Sequence, residues 1–512
     1  MSKIKSKIGE KVRTLIRNWL QIEPAPENSI TILEPLSFQA SVIRNQIWYR
    51  GDASELDQLY NQLGAGDTVN AARFWAASPS DEKIRKIHSG LPSILVDTLA
   101  YLVKSDLDDI TFGKDKTGKS TWDLITDTES GGINFLDLVG KGIVGALKSG
   151  DGAFKISIDP DLSDFPIVEF YEADRVDYIQ KHGITTGINF WTPYAVDSRA
   201  YRLRESYETG RISYTLFKGE TDDKEVPLDT VPELADLASH NPVEYDGGFR
   251  MAIPLKFFEN PKFPGRGKAI YENKLDSFDA LDEVISQWMD ALRAGRVKKY
   301  IPRDLIPTDI KTGQPAPPND FGSNYIVTNS DPHENAQSKI QTEQPDIKYD
   351  AFLSTYTATL DMCLQGIVSP ATLGIDVGKM SSADAQREKK DVTGYTRNTI
   401  TGVLEKVLPE LVSSILKAYD VMQNQPAGDY EPAVSFGEYG APSFDARVDV
   451  VNKAATANTM SVETQVDELW GSSKDDDWKA DEVQRIKQQR GIETVDEPPK
   501  VGDELQPAGG DA

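Results

Sequence analysis

One stretch of this 512-residue chain matches a catalytic pattern letter for letter: Gly113-Lys-Asp-Lys-Thr-Gly-Lys-Ser120 satisfies G-x-x-x-x-G-K-S. In a phosphate loop the glycines let backbone N–H groups cradle phosphate, the lysine neutralises it and the serine holds magnesium. That chemistry needs a buried strand before the loop and a helix after it. What precedes it is Ser105-Asp-Leu-Asp-Asp-Ile-Thr-Phe112, with three acids beside the would-be phosphates and no continuous apolar run. No later apolar strand ending in an acid offers the second half of such a site, and a polar loop of ordinary composition is the plainer reading. Gly265-Arg-Gly-Lys268 is a weaker match, lacking both the upstream glycine and the hydroxyl residue.

Other reactive groups are sparse. The four histidines, His88, His182, His240 and His333, are far apart and form no metal-binding pair. The single cysteine, Cys363, excludes disulfides and cysteine-based zinc sites within one chain. Carboxylate pairs such as Asp108-Asp109 are commonplace in so acidic a chain. No cofactor is expected, and no catalytic centre.

The formal charge of -25 opposes simple wrapping of nucleic acid, which basic proteins achieve by releasing counterions. It suits a surface past which DNA slides without sticking. A hydrophobic content of 39% and a mean hydropathy of -0.44 indicate a soluble globular protein. No apolar run approaches the roughly 20 residues that cross a bilayer. The start lacks the features of a signal peptide, so nothing argues for export.

The elements that would position any site are organised around residues 349 to 422. Phe352, Leu353, Tyr356, Leu360, Leu364 and Ile367 recur at helical spacing and put one apolar stripe on a face, with Pro370 as the stop. After the connector Ala371 to Met380, Ser381 and Asp384 approximate a capping box. A helix of about 55 Å at ~1.5 Å per residue is predicted from there to about Tyr419, kinked at Pro409. So long a rod should span a large assembly or bridge subdomains, unless it is the core helix of an ordinary domain.

The rest of the chain reads in order. Residues 1–20 form a basic amphipathic helix candidate of local charge +5, suited to an acidic protein surface or a membrane face. Residues 23–29 are a linker. Helices are expected at Glu55 to Leu63, at Leu91 to Val103, and within Lys119 to Leu147 around a Gly131-Gly132 break. From Ala153 the period becomes two, predicting one antiparallel meander of Phe154–Ile158, Ile167–Phe170, Tyr201–Arg204 and Arg211–Phe217, completed by Met251–Phe258. Pro261 to Lys268 is a loop. A helix over Asp276 to Ala294 should bury Phe278, Leu281, Ile285, Trp288, Met289 and Leu292. About 50 turn-rich residues with a strand at Asn324–Thr328 then form a knob at the tip of a helical hairpin. Beyond Gln423 come short helices opened by Ser443, Ser461 and Ser473, and an acidic tail from Asp496 expected to be disordered.

The order of segments resembles the portal proteins of long-tailed, siphovirus-like bacteriophages. The likeness is carried by Trp48-Tyr49 with Gly51-Asp52, Arg73-Phe74-Trp75, Ile87-His88-Ser89-Gly90-Leu91-Pro92 and Val96-Asp97-Thr98-Leu99-Ala100. It continues through Ser277 to Gly295, Ser381-Ser-Ala-Asp-Ala385 with Arg387-Glu388-Lys389, and Met460-Ser461-Val-Glu-Thr464. The chain departs from the family pattern in reading Ala-Asp-Ala for Ala-Glu-Ala and in its basic N-terminal helix.

What the resemblance implies is an α+β, predominantly helical ring protomer. Its wing would be 30–270, its first stem helix 271–296, its small α/β clip 297–348 and its second stem helix 349–368. The tunnel loop would be 369–380, the long wing helix 381–422, the helical crown 423–495 and the tail 496–512. A ring of about twelve copies at one capsid vertex of the virion, assembled in the host cytoplasm, would conduct double-stranded DNA in and out. Leu373, Gly374, Asp376, Gly378 and Lys379 are the implied DNA-facing residues; Lys311, Asp320 and Asn324 are the implied contacts with motor or adaptor. The implied partners are further copies of the chain, the large terminase motor, the major capsid and scaffold proteins, and head-completion proteins, with no membrane. The rival classes are a P-loop ATPase acting through Lys119 and a peripheral membrane-associated assembly protein resting on residues 1–20.

Overall fold

A computed structural model describes residues 36–64, 75, 84–219, 224–306, 308, 310–313, 324–328, 339–375, 383–437, 444–457, 459–470 and 476–490. The expected N-terminal helix, its linker and the acidic tail lie outside them. The described residues up to Gly437 belong to one compact unit and those from Phe444 onward to another.

The first unit opens with α1 (Phe38–Arg50) and α2 (Ala53–Gly64), then α3 (Leu91–Ser105), α4 (Lys116–Ile125) and α5 (Phe135–Ser149). Ser37 caps α1 by accepting from Ala40 N, and Gly51 ends it in the left-handed region. In α5 the Asn134 side chain accepts from Asp137 N, and Leu138, Val139, Ile143, Ala146 and Leu147 turn into the core. Two glycines let α5 lie flat on the sheet beneath it. A Cβ on Gly142 would meet the Phe154 ring at 2.5 Å. One on Gly145 would meet Phe170 at 2.4 Å.

That sheet contains β1 (Asp151–Ser157) at its centre, flanked antiparallel by β2 (Ile167–Glu172), with Phe154 opposite Phe170. The second sheet follows as β3 (Val176–Lys181), β4 (Ile184–Val196), β5 (Arg199–Glu208), β6 (Arg211–Lys218) and β7 (Glu225–Val226). A short α6 (Ala235–Ser239) precedes β8 (Val243–Glu244), which pairs with β6, and β9 (Ala252–Lys256) returns to the free edge of β1.

The single meander expected from the sequence is therefore two sheets, and β9 completes the first of them. The physical reason is burial: every residue of β1 up to Ile156 is inside, so both of its edges must be paired. A buried ion pair joins the two sheets. Lys155 Nζ of β1 lies 2.7 Å from Glu205 of β5, with the rings of Tyr171, Phe190 and Tyr207 within 5.2–5.8 Å of the ammonium.

The chain then forms α7 (Leu275–Ala294) and a small mixed sheet. Its central β10 (Lys298–Pro302) pairs parallel with β11 (Asn324–Thr328) and antiparallel with β12 (Gln341–Glu343). The strand expected at Asn324 is present. Among the described residues of 297–348, helical structure amounts to the 3-10 turn Arg303–Leu305.

Next come α8 (Tyr349–Leu364) and the 40-residue α9 (Ala383–Met422). α8 ends before Pro370: Gly366 adopts a φ of 79°, and Pro370 opens the 3-10 turn Pro370–Leu373. α9 runs without interruption through Pro409. Its Ile400, Leu404, Leu408, Leu411, Val412, Ile415, Leu416 and Ala418 are all 0% exposed. This part of the rod is the axis of the unit's own core, not a span between bodies.

Residues 423–437 fold back over the first unit, with Thr111 bridging Ala433 and Leu107 bridging Phe436. The boundary expected at 423 thus falls instead after Gly437. The second unit holds α10 (Phe444–Thr456), α11 (Val462–Trp470) and α12 (Asp476–Gln489). Ser461 caps α11 by accepting from Thr464 N. Trp470 meets Trp478 edge to face, and Lys487 reaches back to Glu463 at 2.5 Å. That hydrogen bond pulls the Glu463 carboxyl down to about 2.

Candidate interaction surfaces of the helical hairpin

α7 and α8 pack side by side as the expected hairpin, and the apolar stripes divide along their length. Near the body, Phe278, Leu281, Leu360 and Leu364 are buried. Further out Trp288 is the keystone: its ring stacks on Phe352 and meets Tyr349 and Tyr356 at an angle. Around it Met289 (40% exposed), Leu292 (45%) and Tyr349 (55%) face outward, with Leu353 and Val297 close behind; Met362 is exposed nearer the body, where its carbonyl accepts from Lys274. Met289 and Leu292, predicted to be buried, are exposed, as is Leu353 of the α8 stripe, because a hairpin two helices thick covers only one stripe on each.

The root of the hairpin is fastened by residues from distant parts of the chain. His88 donates from Nδ1 to Asp282 Oδ2 at 2.6 Å, and Ser89 N donates to Asp282 Oδ1 at 2.8 Å. Ile87 N donates to Ser286 Oγ, and Ser286 Oγ to the Asp282 carbonyl. Trp48 and Trp75 pack edge to face with each other and ring against ring with His88. The Gly51 Cα leaves no room for a Cβ, which would lie 2.5 Å from the imidazole. Trp48, Gly51, Trp75, His88 and the first half of Ser277 to Gly295, separate landmarks in the sequence, meet here. Cys363 is buried nearby, and desolvation, helped by the charge of Asp282, pushes its thiol up to about 12. It is therefore a packing group, not a nucleophile.

The connector after α8 begins as an anchored turn. Thr393 of α9, 0% exposed, accepts from Ser369 N at 3.0 Å and shares a hydrogen bond with Thr372 at 3.0 Å; Thr396 donates to Ile367 O at 2.6 Å. Leu373 is half-buried and packs with Ile375 against the core. Gly374 is exposed at a φ of 71°, in open space. Asp376, Gly378 and Lys379 lie outside the described residues, as do Ser381 and Asp320. On the knob, Lys311 is exposed in a turn and Asn324 opens β11 opposite Lys298.

The two phosphate-like stretches have other employment. α4 starts inside the Gly113–Ser120 motif, and the Asp115 carboxylate accepts from Gly118 N at 2.9 Å, filling the place where phosphate would sit. Ser120 donates to Thr117 O, and Tyr430 lies against Gly118. What precedes the loop is a pair of isolated bridges, at Leu107 and Thr111, not a strand. Arg266 is held twice over. It bonds both oxygens of Asp151 at 2.8 and 2.9 Å, reaches Asp177 and the carbonyls of Ala173 and Val176, and lies over Phe38 and Tyr178. Sequence reasoning missed this hub and the Thr393 staple. Arg266 reaches Asp151 across 115 residues and Thr393 reaches Ser369 across 24, and contacts at such separations leave no local pattern.

Among the described residues no group of three His, Cys, Asp or Glu side chains could hold a metal, and no helix is long and apolar enough to cross a membrane. No family model matches the chain, and no curated protein matches it in sequence. Among solved structures, the chain is similar to the neck of an empty GTA particle computed with C6 symmetry. There the identity is 11% over 73% of this chain and 87% of that one, with a TM-score of 0.36. It is also similar to the neck of a native GTA particle computed with C12 symmetry, at 13% identity over 79% and 94% of the two chains, with a TM-score of 0.35.

Proposed function

We propose that this chain is the protomer of a portal ring: a structural conduit at one capsid vertex, through which double-stranded DNA is packaged and later leaves. The observation that carries the reading is the outward apolar surface of the α7–α8 hairpin, around Met289, Leu292, Tyr349 and Leu353. Lone protomers have nothing to cover it, and a closed ring of about twelve copies supplies the cover by symmetry. In this reading the body up to about residue 270 is the wing, α7 and α8 the stem, 297–348 the clip and α10 to α12 the crown. The connector from Ser369 to Met380 faces the channel, with Gly374, Asp376, Gly378 and Lys379 nearest DNA and Leu373 anchoring its root.

The acidic balance of the chain fits passage without retention, since duplex DNA presents one negative charge per roughly 1.7 Å. The energy for movement comes from a separate ATP-driven motor, the large terminase. It docks on the clip, where Lys311, Asp320 and Asn324 are the proposed contacts. Capsid and scaffold proteins surround the wing, and head-completion proteins follow below the clip. The carboxylate cap on Gly118 speaks against this chain supplying the ATPase itself. Negative-stain imaging of the purified chain tests the proposal: rings with a central hole are expected, and compact monomers at high concentration would overturn it.

A further inference from the structure

Two carboxylates sit almost one turn apart on the inner face of α7: Asp279, 1% exposed, and Asp282, 0% exposed. Their surroundings differ. Asp282 accepts from the His88 imidazole and the Ser89 backbone. Asp279 accepts from the Trp75 backbone and the Tyr60 hydroxyl, makes no salt bridge among the described residues, and keeps its buried Oδ1 without a partner. The indole N–H groups of Trp48 and Trp75 and Nε2 of His88 are buried in the same cluster, with no hydrogen-bond partner among the described residues.

Among the described residues no neighbouring cation offsets this charge. On α7 the other titratable groups are the acids Asp276, Asp282, Glu283 and Asp290, and Arg293 in the last turn, at the far end of the helix from Asp279. α2 brings Tyr60 and Asp57, the segment before α3 brings Lys86 and His88, and α8 brings Cys363. Lys86 is engaged with Asp57 at 2.5 Å, and Lys274, just ahead of α7, donates to Met362 O. His88 is turned to Asp282. A buried carboxylate left in this position is strongly disfavoured unless it takes up a proton.

We propose that Asp279 is a proton-operated latch at the root of the hairpin: its neutral carboxyl seats Trp75 and residues 84–90 on α7, and its carboxylate loosens that seat. Desolvation, with the charge of Asp282 adding to it, pushes the Asp279 carboxyl up to about 6. Because the folded value is raised, the contribution to stability is fully present below the ordinary carboxylate range. It is lost as pH rises through about 6. At neutral pH the junction therefore holds a charged, unpaired group, and proton uptake tightens it.

The test compares thermal unfolding of the full chain with that of Asp279→Asn between about pH 5 and pH 8. The asparagine keeps an acceptor for Trp75 and Tyr60 and removes the charge. It is expected to be the more stable form at pH 8, by up to roughly a hundredfold in the folding equilibrium. That advantage should shrink to roughly tenfold by pH 5 and vanish only below the ordinary carboxylate range. A gap that does not change with pH, or an asparagine variant weaker at pH 8, would overturn the proposal. Should the variant not fold, hydrogen exchange of the wild type decides. Residues 84–90 must be better protected at about pH 5.5 than at pH 7.5 once intrinsic rates are removed, and equal protection sinks the latch.

Discussion

Trp288 and Phe352 lie face to face across the hairpin, their ring centroids 6.1 Å apart and their planes 5° from parallel. This stack joins the outer halves of α7 and α8, where little else is buried. Trp288→Ala is expected to cost about 1–3 kcal/mol, less than a fully buried tryptophan, and to loosen the hairpin before the body. Hydrogen exchange along α7 and α8 checks the order: faster exchange confined to the outer half is the expected result.

The outward apolar residues should matter to association and not to folding. Leu292→Asp together with Leu353→Asp is expected to leave the melting temperature within a few degrees and to abolish ring formation. Light scattering on the purified double variant measures it. Rings that persist would place the subunit contact elsewhere.

Lys155 and Glu205 form a buried pair whose removal is asymmetric. Lys155→Met strands the carboxylate between two sheets and should cost about 3–5 kcal/mol, whereas Lys155→Met with Glu205→Leu should recover most of that. Chemical denaturation of the two variants gives the difference directly.

At the phosphate-like motif, Asp115→Ala is expected to lower stability by about 1 kcal/mol through loss of the helix cap, and Lys119→Ala to change nothing. Magnesium-dependent ATP binding that Lys119→Ala abolishes would reinstate the ATPase reading.

On the proposed channel loop, Lys379→Glu should leave rings intact and reduce DNA retention or packaging. Failure of assembly in that variant would move the residue to a subunit contact.

The long helix, the hairpin and the helices of the second unit were legible in the sequence, because 3.6-residue periodicity with polar caps is a local signal. Ser461 was legible as a helix cap, and the Thr464 N–H from which it accepts lies only three residues on. β4 was not foreseen, since Gly187 and Pro193 punctuate it like a loop. Pro193 is tolerated because β3 covers β4 only as far as Phe190, so beyond that point one edge asks for no partner. The tight turn at Asp197 and Ser198, both at positive φ, also lacks the glycine that usually announces it. Periodicity likewise could not tell which half of a stripe would be covered: Leu281 and Leu292 share a face and have opposite fates. At the hairpin root His88 looked like an isolated histidine, and only the fold brings Asp282 to it.

The Thr393 hydroxyl takes a backbone donor from Ser369 and a side-chain bond from Thr372, so the first residues of the connector are riveted to the shaft of α9. A load applied at Gly374 is therefore delivered to the middle of the molecule instead of being absorbed in slack chain. Whatever tugs on the loop also tugs on the lever at whose far end Leu411, Val412 and Ile415 are embedded.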